Sequence, residues 1–159
     1  MADLDAGRRA LLKARAVAGP AALAGQAASA QQAAAPQLLT LQDMIGPLVG
    51  GAKLHTEGIR LEIALLADNG HLVPLRVVVD SPMTEADHVR EIILLSPRNP
   101  VTRIAGFRLG PWSGRAEIAT RIRLAGTQTV AALARMSNGE FRLAQAEVVV
   151  TESACLDMT

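Results

Sequence analysis

From Ile59 onward the chain alternates. Ile59, Leu61, Ile63 and Leu65 are interleaved with Arg60, Glu62 and Ala64, a period of two that predicts a half-buried strand. Asp68-Asn69-Gly70 is a hairpin-turn sequence, and Leu72 to Val79 is expected to return as a second strand. Asp80-Ser81-Pro82 breaks the pattern. A third strand is predicted over His88 to Leu95, stopped by Ser96-Pro97-Arg98-Asn99-Pro100, and a fourth over about Arg103 to Leu109, stopped by Gly110-Pro111. The fifth covers Arg115 to Leu124, with Ile118, Ile122 and Leu124 on one face and Glu117, Arg121 and Arg123 on the other. Thr127 to Met136 is the sixth, closed by Ser137-Asn138-Gly139, and Phe141 to Thr151 the seventh.

Only one helix is predicted. Thr40 is its N-cap, with Asp43 three residues on, and it runs through about Leu48 until Gly50-Gly51 ends it. About seven short strands, each pair separated by a turn signal, describe an all-β, immunoglobulin-like antiparallel β-sandwich with a short N-terminal helix. With a single cysteine in 159 residues, the disulfide of antibody domains is excluded, as is any disulfide within the chain.

The residues before that helix follow no sandwich pattern. Arg8-Arg9 is followed by Ala10, Leu11, Leu12 and Lys13, then by an apolar, alanine-rich run from Ala16 to Ala24. Ala28-Ser29-Ala30 offers small residues for a signal peptidase, with cleavage before Gln31. This is the pattern of a twin-arginine export signal, which predicts a periplasmic protein exported folded. Gly19 and Pro20 argue against the other reading, an amphipathic helix of the mature protein. The run is also too short and too weakly apolar for a spanning helix. The expected organisation is a signal peptide over residues 1–30, a Gln-, Ala- and Pro-rich linker over 31–39, the β domain over 40–151 and a tail over 152–159. Cleavage would take the formal charge from +1 to −1, and the absence of a basic block gives no footing for nucleic-acid binding. Half of the residues are hydrophobic but only 2% aromatic, so Val, Ile, Leu and Ala must do the packing.

The candidate chemistry is thin, and most of it has a structural explanation. His55, His71 and His88 are scattered, and with one cysteine they form no metal-ligand spacing; no metal or cofactor is expected. Asp80, Ser81 and His88 are the residue types of a hydrolase triad, but triads are recognised by geometry, and Ser81 precedes a proline in a turn. Arg115, Arg121 and Arg123 read as a solvated strand face or partner surface rather than an anion site. Trp112 follows Gly110-Pro111 in a loop, where it caps the core or anchors an interface. No catalytic constellation results.

Cys155 is different. It stands in the polar tail Glu152-Ser153-Ala154-Cys155-Leu156-Asp157-Met158-Thr159, directly after the β-branched run Val148-Val149-Val150-Thr151. Free cysteine is commonly a buried small hydrophobe, but terminal residues are poorly ordered unless tied down. At about 3.3 Å per extended residue, Cys155 reaches roughly 13 Å beyond Thr151, which makes it a candidate working thiol on a tether.

Three spaced segments carry a family resemblance. Asp80-Ser81-Pro82-Met83-Thr84-Glu85-Ala86-Asp87-His88-Val89, Ser113-Gly114-Arg115-Ala116-Glu117 and Thr120-Arg121-Ile122-Arg123-Leu124-Ala125-Gly126-Thr127-Gln128-Thr129-Val130 resemble segments of SoxY, the sulfur-carrier subunit of bacterial thiosulfate-oxidising systems. The resemblance runs from about Leu41 to Thr151 and agrees with the leader. It implies an immunoglobulin-like fold, a SoxZ-like partner in a heterodimer, transient visits to periplasmic Sox enzymes, and no catalysis by the subunit itself. It also implies that sulfur intermediates ride covalently on one C-terminal cysteine, which here is Cys155.

The tail departs from the family. The family's arm usually reads Gly-Gly-Cys-Gly-Gly, whereas this one carries Leu156 and Met158 as bulk and Glu152 and Asp157 as negative charge. Glycine lets a backbone turn freely and approach a partner closely, and like charges oppose thiolate formation. Two readings therefore stand beside each other: a carrier that loads Cys155, and a SoxY-like interaction scaffold whose altered tail loads nothing. An enzyme in its own right is a third class for which the sequence offers no residues.

Overall fold

The computed structural model describes residues 39–153. In chain order it contains helix α1 (Leu41–Val49) and strands β1 (Leu54–His55), β2 (Ile59–Ile63), β3 (Leu66–Asn69), β4 (Val73–Val79), β5 (Val89–Leu95) and β6 (Arg103–Arg108). A 3-10 turn (Pro111–Ser113), β7 (Glu117–Ile122), β8 (Gln128–Met136) and β9 (Phe141–Glu152) complete it. The expected leader, the expected linker apart from Leu39, and Cys155 lie outside the described residues.

All seven expected strands form, and the class is an all-β sandwich. One sheet has the order β1-β9-β8-β5-β6, with β3 also pairing β9; the other has the order β2-β4-β7. Neighbours run antiparallel, except that the two short strands β1 and β3 lie parallel to β9. At two and four residues, β1 and β3 are too short for alternation to announce them.

The core between the sheets is aliphatic, as the composition requires. Val73, Leu75, Val77 and Val79 from β4 meet Ile92 and Leu94 from β5 and Val130, Ala132 and Ala134 from β8. A second cluster lies on the outer face of the larger sheet, where Ile45 of α1 covers Ile93, Leu95, Ala131, Leu133 and Phe141. β5 and β8 are therefore buried on both faces, which explains the unbroken apolar runs Ile92 to Leu95 and Val130 to Ala134.

Helix α1 starts and stops as its sequence dictates. Asp43 N–H donates to Thr40 Oγ1 at 3.2 Å and Thr40 N–H to Asp43 Oδ2 at 2.9 Å, a reciprocal capping box. These bonds from Thr40 hold the Asp43 carboxyl below its ordinary range. Gly50 ends the helix at φ 59°, a left-handed backbone that glycine adopts without strain, and its N–H donates to Gly46 O at 2.9 Å.

The expected hairpin at Asp68-Asn69-Gly70 is corrected. β2 and β4 do pair antiparallel, from Ile59↔Val79 to Ile63↔Leu75, but Asp68 and Asn69 belong to β3, which leaves that sheet to run along β9. The cause lies in β9, whose pairing with β8 ends at Gln128↔Val148 while the strand continues to Glu152. Its last four residues need other partners for their backbone groups, and β3 supplies them.

Candidate functional site

The end of β9 is gripped on both edges. Toward β8, Val150 N–H donates to Thr127 Oγ1 at 3.0 Å, Thr127 Oγ1 donates to Val150 O at 3.4 Å, and Ser153 Oγ donates to Ala125 O at 2.7 Å. Toward β3, Val149 N–H donates to Leu65 O at 2.8 Å, Thr151 Oγ1 to Asp68 O at 2.8 Å, and Gly70 N–H to Glu152 O at 2.7 Å. Leu124 N–H donates to Gly70 O at 2.8 Å, so Gly70 links both sides. A Cβ on Gly70 would stand 2.5 Å from Leu124 O and 2.9 Å from Glu152 O, both backbone atoms that cannot swing away. Close approach, rather than a turn, is what requires glycine here.

The loop that grips Ser153 is itself clamped by a buried polar network. Gln128 is 5% exposed and Ser96 fully buried. Gln128 Oε1 accepts from Ser96 Oγ and from Arg98 N–H, the latter at 3.0 Å, while Gln128 Nε2 donates to Asn99 Oδ1 at 3.1 Å. Asn99 Oδ1 also accepts from Ala125 N–H at 2.9 Å, and Asn99 Nδ2 donates to Arg123 O at 2.7 Å. The segment Ser96–Pro100, expected only to stop a strand, thus fixes residues 123–128 and through them the end of β9.

That arrangement shortens the expected tether. β9 extends through Glu152, and Ser153 is still bonded to the body, so the chain leaves it two residues before Cys155 rather than four. Covalent geometry then keeps the Cys155 Cα within about 7 Å of the Ser153 Cα. Cys155 itself lies outside the described residues.

Asp80, Ser81 and His88 are not brought together. Asp80 Oδ1 pairs with Arg60 Nη1 at 3.4 Å, Ser81 Oγ accepts from Met83 N–H at 3.3 Å, and His88 Nδ1 lies 3.0 Å from Thr84 O. Each side chain serves its own turn or sheet face. Arg115, Arg121 and Arg123 are exposed, as a solvated face predicts. Trp112 does not cap the core: it is 84% exposed, its ring lying over Gly110. Among the described residues no group of three or more His, Cys, Asp or Glu side chains could hold a metal. Nor is any helix among them long and apolar enough to cross a membrane.

The strongest electrostatic feature is on the smaller sheet's outer face. Arg76 stands between Glu62 at 3.2 Å and Glu117 at 2.8 Å, a row of alternating charge across β2, β4 and β7. The Arg76 guanidinium holds the Glu117 carboxyl below the usual glutamate range, and the two carboxylates raise Arg76 in turn.

Sequence reasoning missed the grip on β9: Gly70, Asn99, Thr127, Gln128 and Ser153. One signal was available, because Gln128 shares the phase of the core positions Val130, Ala132, Ala134 and Met136. A polar residue in a core phase announces a satisfied buried group.

This sandwich occurs in more than one kind of protein. A superoxide reductase (neelaredoxin) from Ignicoccus hospitalis aligns with a TM-score of 0.53 at 17% identity, covering 60% of this chain and 81% of that one. A putative superoxide reductase from Thermotoga maritima aligns at 0.51 and 16% identity, covering 66% of this chain and 91% of that one. At such identities the likeness is one of fold alone. The sulfur carrier protein SoxY from Chlorobium limicola f thiosulfatophilum aligns at 0.57 with 26% identity, covering 70% of this chain and 96% of that one. The family model for the sulfur oxidation protein SoxY matches residues 46–155, and the chain belongs to that family. The matched span ends on Cys155. No curated protein matches the chain.

Proposed function

We propose that this protein is a periplasmic sulfur carrier, not an enzyme, which holds sulfur intermediates covalently on Cys155 while paired with a SoxZ-like subunit. The observation that carries the reading is the SoxY family match over residues 46–155, whose last residue is the lone cysteine. The grip on β9 supports it: Thr127, Gly70 and Ser153 fasten the strand directly before that cysteine, which sets the thiol close to a rigid rim. The Arg8-Arg9 leader supports export in the folded state.

The chemistry such a carrier performs is simple. The Cys155 thiolate joins a reduced sulfur anion through one new S–S bond; the thiol proton goes to water and two electrons leave. A redox partner must accept those electrons, because the described residues offer no metal cluster to do so. Later enzymes remove the oxidised sulfur from the adduct with water and return the thiol. The thiolate is the reacting form, so Glu152 beside it slows loading.

The tail sequence favours a second reading, a SoxY-like scaffold that pairs with the partner without carrying sulfur, because its cysteine lacks flanking glycines. One experiment separates the two. The intact mass of the protein isolated from the periplasm of sulfur-grown cells should show sulfur-containing additions, all lost in Cys155→Ser. Complementation by Cys155→Ser as good as wild type would establish the scaffold and overturn the carrier. Co-expression with a SoxZ-like subunit should yield a heterodimer; separate elution at micromolar concentration refutes the pairing.

A further inference from the structure

β7 is an edge strand among the described residues, and nothing blunts it. It pairs β4 on one side only, from Val73↔Ile122 to Val78↔Glu117. No proline or register shift interrupts it, in contrast to the irregular β5 pairings. Such an edge presents a row of unpaired backbone donors and acceptors, a template for another strand.

The sequence of the edge states which strand fits. Along Glu117-Ile118-Ala119-Thr120-Arg121-Ile122 the outward positions are Glu117, Ala119 and Arg121. An antiparallel second copy centred on Ala119 sets Ala119 against itself, Glu117 against the second copy's Arg121, and Arg121 against the second copy's Glu117. Arg121 makes no ion pair among the described residues, whereas Glu117 already holds Arg76. The pairing therefore continues an existing row: Glu62, Arg76 and Glu117 of one protomer are followed by Arg121 of the other, with signs alternating throughout. A two-fold axis repeats the row in reverse, as an isologous contact requires.

We propose that the β7 edge is a self-association surface, through which two copies of this chain join their three-stranded sheets into one of six strands. The contact is a single short strand pair, at or below the small end of stable interfaces, so the dimer is weak, with a dissociation constant on the order of tens of micromolar. This surface is independent of Cys155 and of the carrier reading.

Analytical ultracentrifugation of the full chain, from about 1 to 300 μM, tests it. Wild type should pass from monomer to dimer mass at low ionic strength, with weaker association in 0.5 M sodium chloride. Arg121→Glu sets two like-charged pairs across the axis and should weaken the dimer at least about tenfold, while Arg121→Lys retains it. In a Cys155→Ser background, Ala119→Cys should form a cross-axis disulfide, two thiols giving their electrons to oxidised glutathione; Thr120→Cys, out of register, should not. A wild-type chain that stays monomeric at 300 μM, or Arg121→Glu associating as well as wild type, overturns the proposal. So does loss of a co-expressed SoxZ-like subunit in Arg121→Glu with no self-association in wild type, which assigns the edge to that partner.

Discussion

Replacing Gln128 by Leu tests whether the buried polar network holds the domain together. Leucine is close to glutamine in volume, so the change removes hydrogen bonds without opening a large cavity. It strands the Ser96 hydroxyl, which is fully buried, and deprives the Arg98 N–H of its acceptor. A buried donor left without a partner costs about 1–3 kcal/mol, and the half-buried amide adds less, giving roughly 2–4 kcal/mol in all. For a domain of this size that is a fall in Tm of roughly 8–16 °C. Ser96→Ala should cost far less, because Gln128 Oε1 keeps its bond from Arg98 N–H. In the double variant the stranded hydroxyl is gone, so it should be more stable than Gln128→Leu alone. Urea and thermal unfolding followed by circular dichroism give all three values. The same network clamps residues 123–128, so amide exchange at Val150 and Ser153 should rise in Gln128→Leu. A loss under about 0.5 kcal/mol, or a Ser96→Ala variant that suffers more than Gln128→Leu, refutes the reasoning.

Gly70→Ala should destabilise the fold by roughly 2–4 kcal/mol, since its methyl meets Leu124 O and Glu152 O; a melt within a degree of wild type rejects the pinch point. Thr40→Ala should remove the capping box at a cost of about 1 kcal/mol, measurable in the same melts, with Thr40→Ser recovering most of it. Glu117→Gln should matter in one pH range only. A carboxyl held below its ordinary value adds stability that is full above its unfolded pKa and disappears as pH falls through the folded one, so wild type and variant should differ at neutral pH, converge in acid and differ less in high salt. Arg8→Lys with Arg9→Lys should hold the precursor in the cytoplasm; normal periplasmic yield of that double variant refutes twin-arginine export.

Where the fold was legible, one residue type after another pointed the same way. Alternation in Ile59–Leu65 and Arg115–Leu124, the Thr40/Asp43 cap and the Ser137-Asn138-Gly139 turn each answer to local geometry, and local geometry is what a single sequence carries. The Asp68-Asn69-Gly70 hairpin failed for the opposite reason. Its turn chemistry was real, since His71 N–H donates to Asn69 Oδ1 at 2.7 Å, but the excess length of β9 drew Asp68 and Asn69 into a parallel pair more than eighty residues distant in sequence. The site divides in the same way. Cys155 was legible as the one nucleophile in the tail. Thr127, Asn99 and Ser153 were not, because each looks like an ordinary loop polar residue until β9 lies beside it.

The bonded end of β9 has a consequence for any enzyme that reacts with Cys155. Two residues of backbone and a side chain allow the sulfur to explore only a cap about 10 Å in radius around Ser153. An active site buried more deeply than that cannot be reached while the body stays whole. A client must therefore either have a shallow reaction centre or seat its entrance against Gly70, Leu124 and Ala125, so that docking and chemistry share one footprint. The alternative is that the client melts the last turns of pairing, releasing Ser153 from Ala125 and Glu152 from Gly70, and gains about 3.3 Å of line for each residue freed. On either route the rim acts as a gauge. It sorts clients by the depth of their active sites before any bond to sulfur is made.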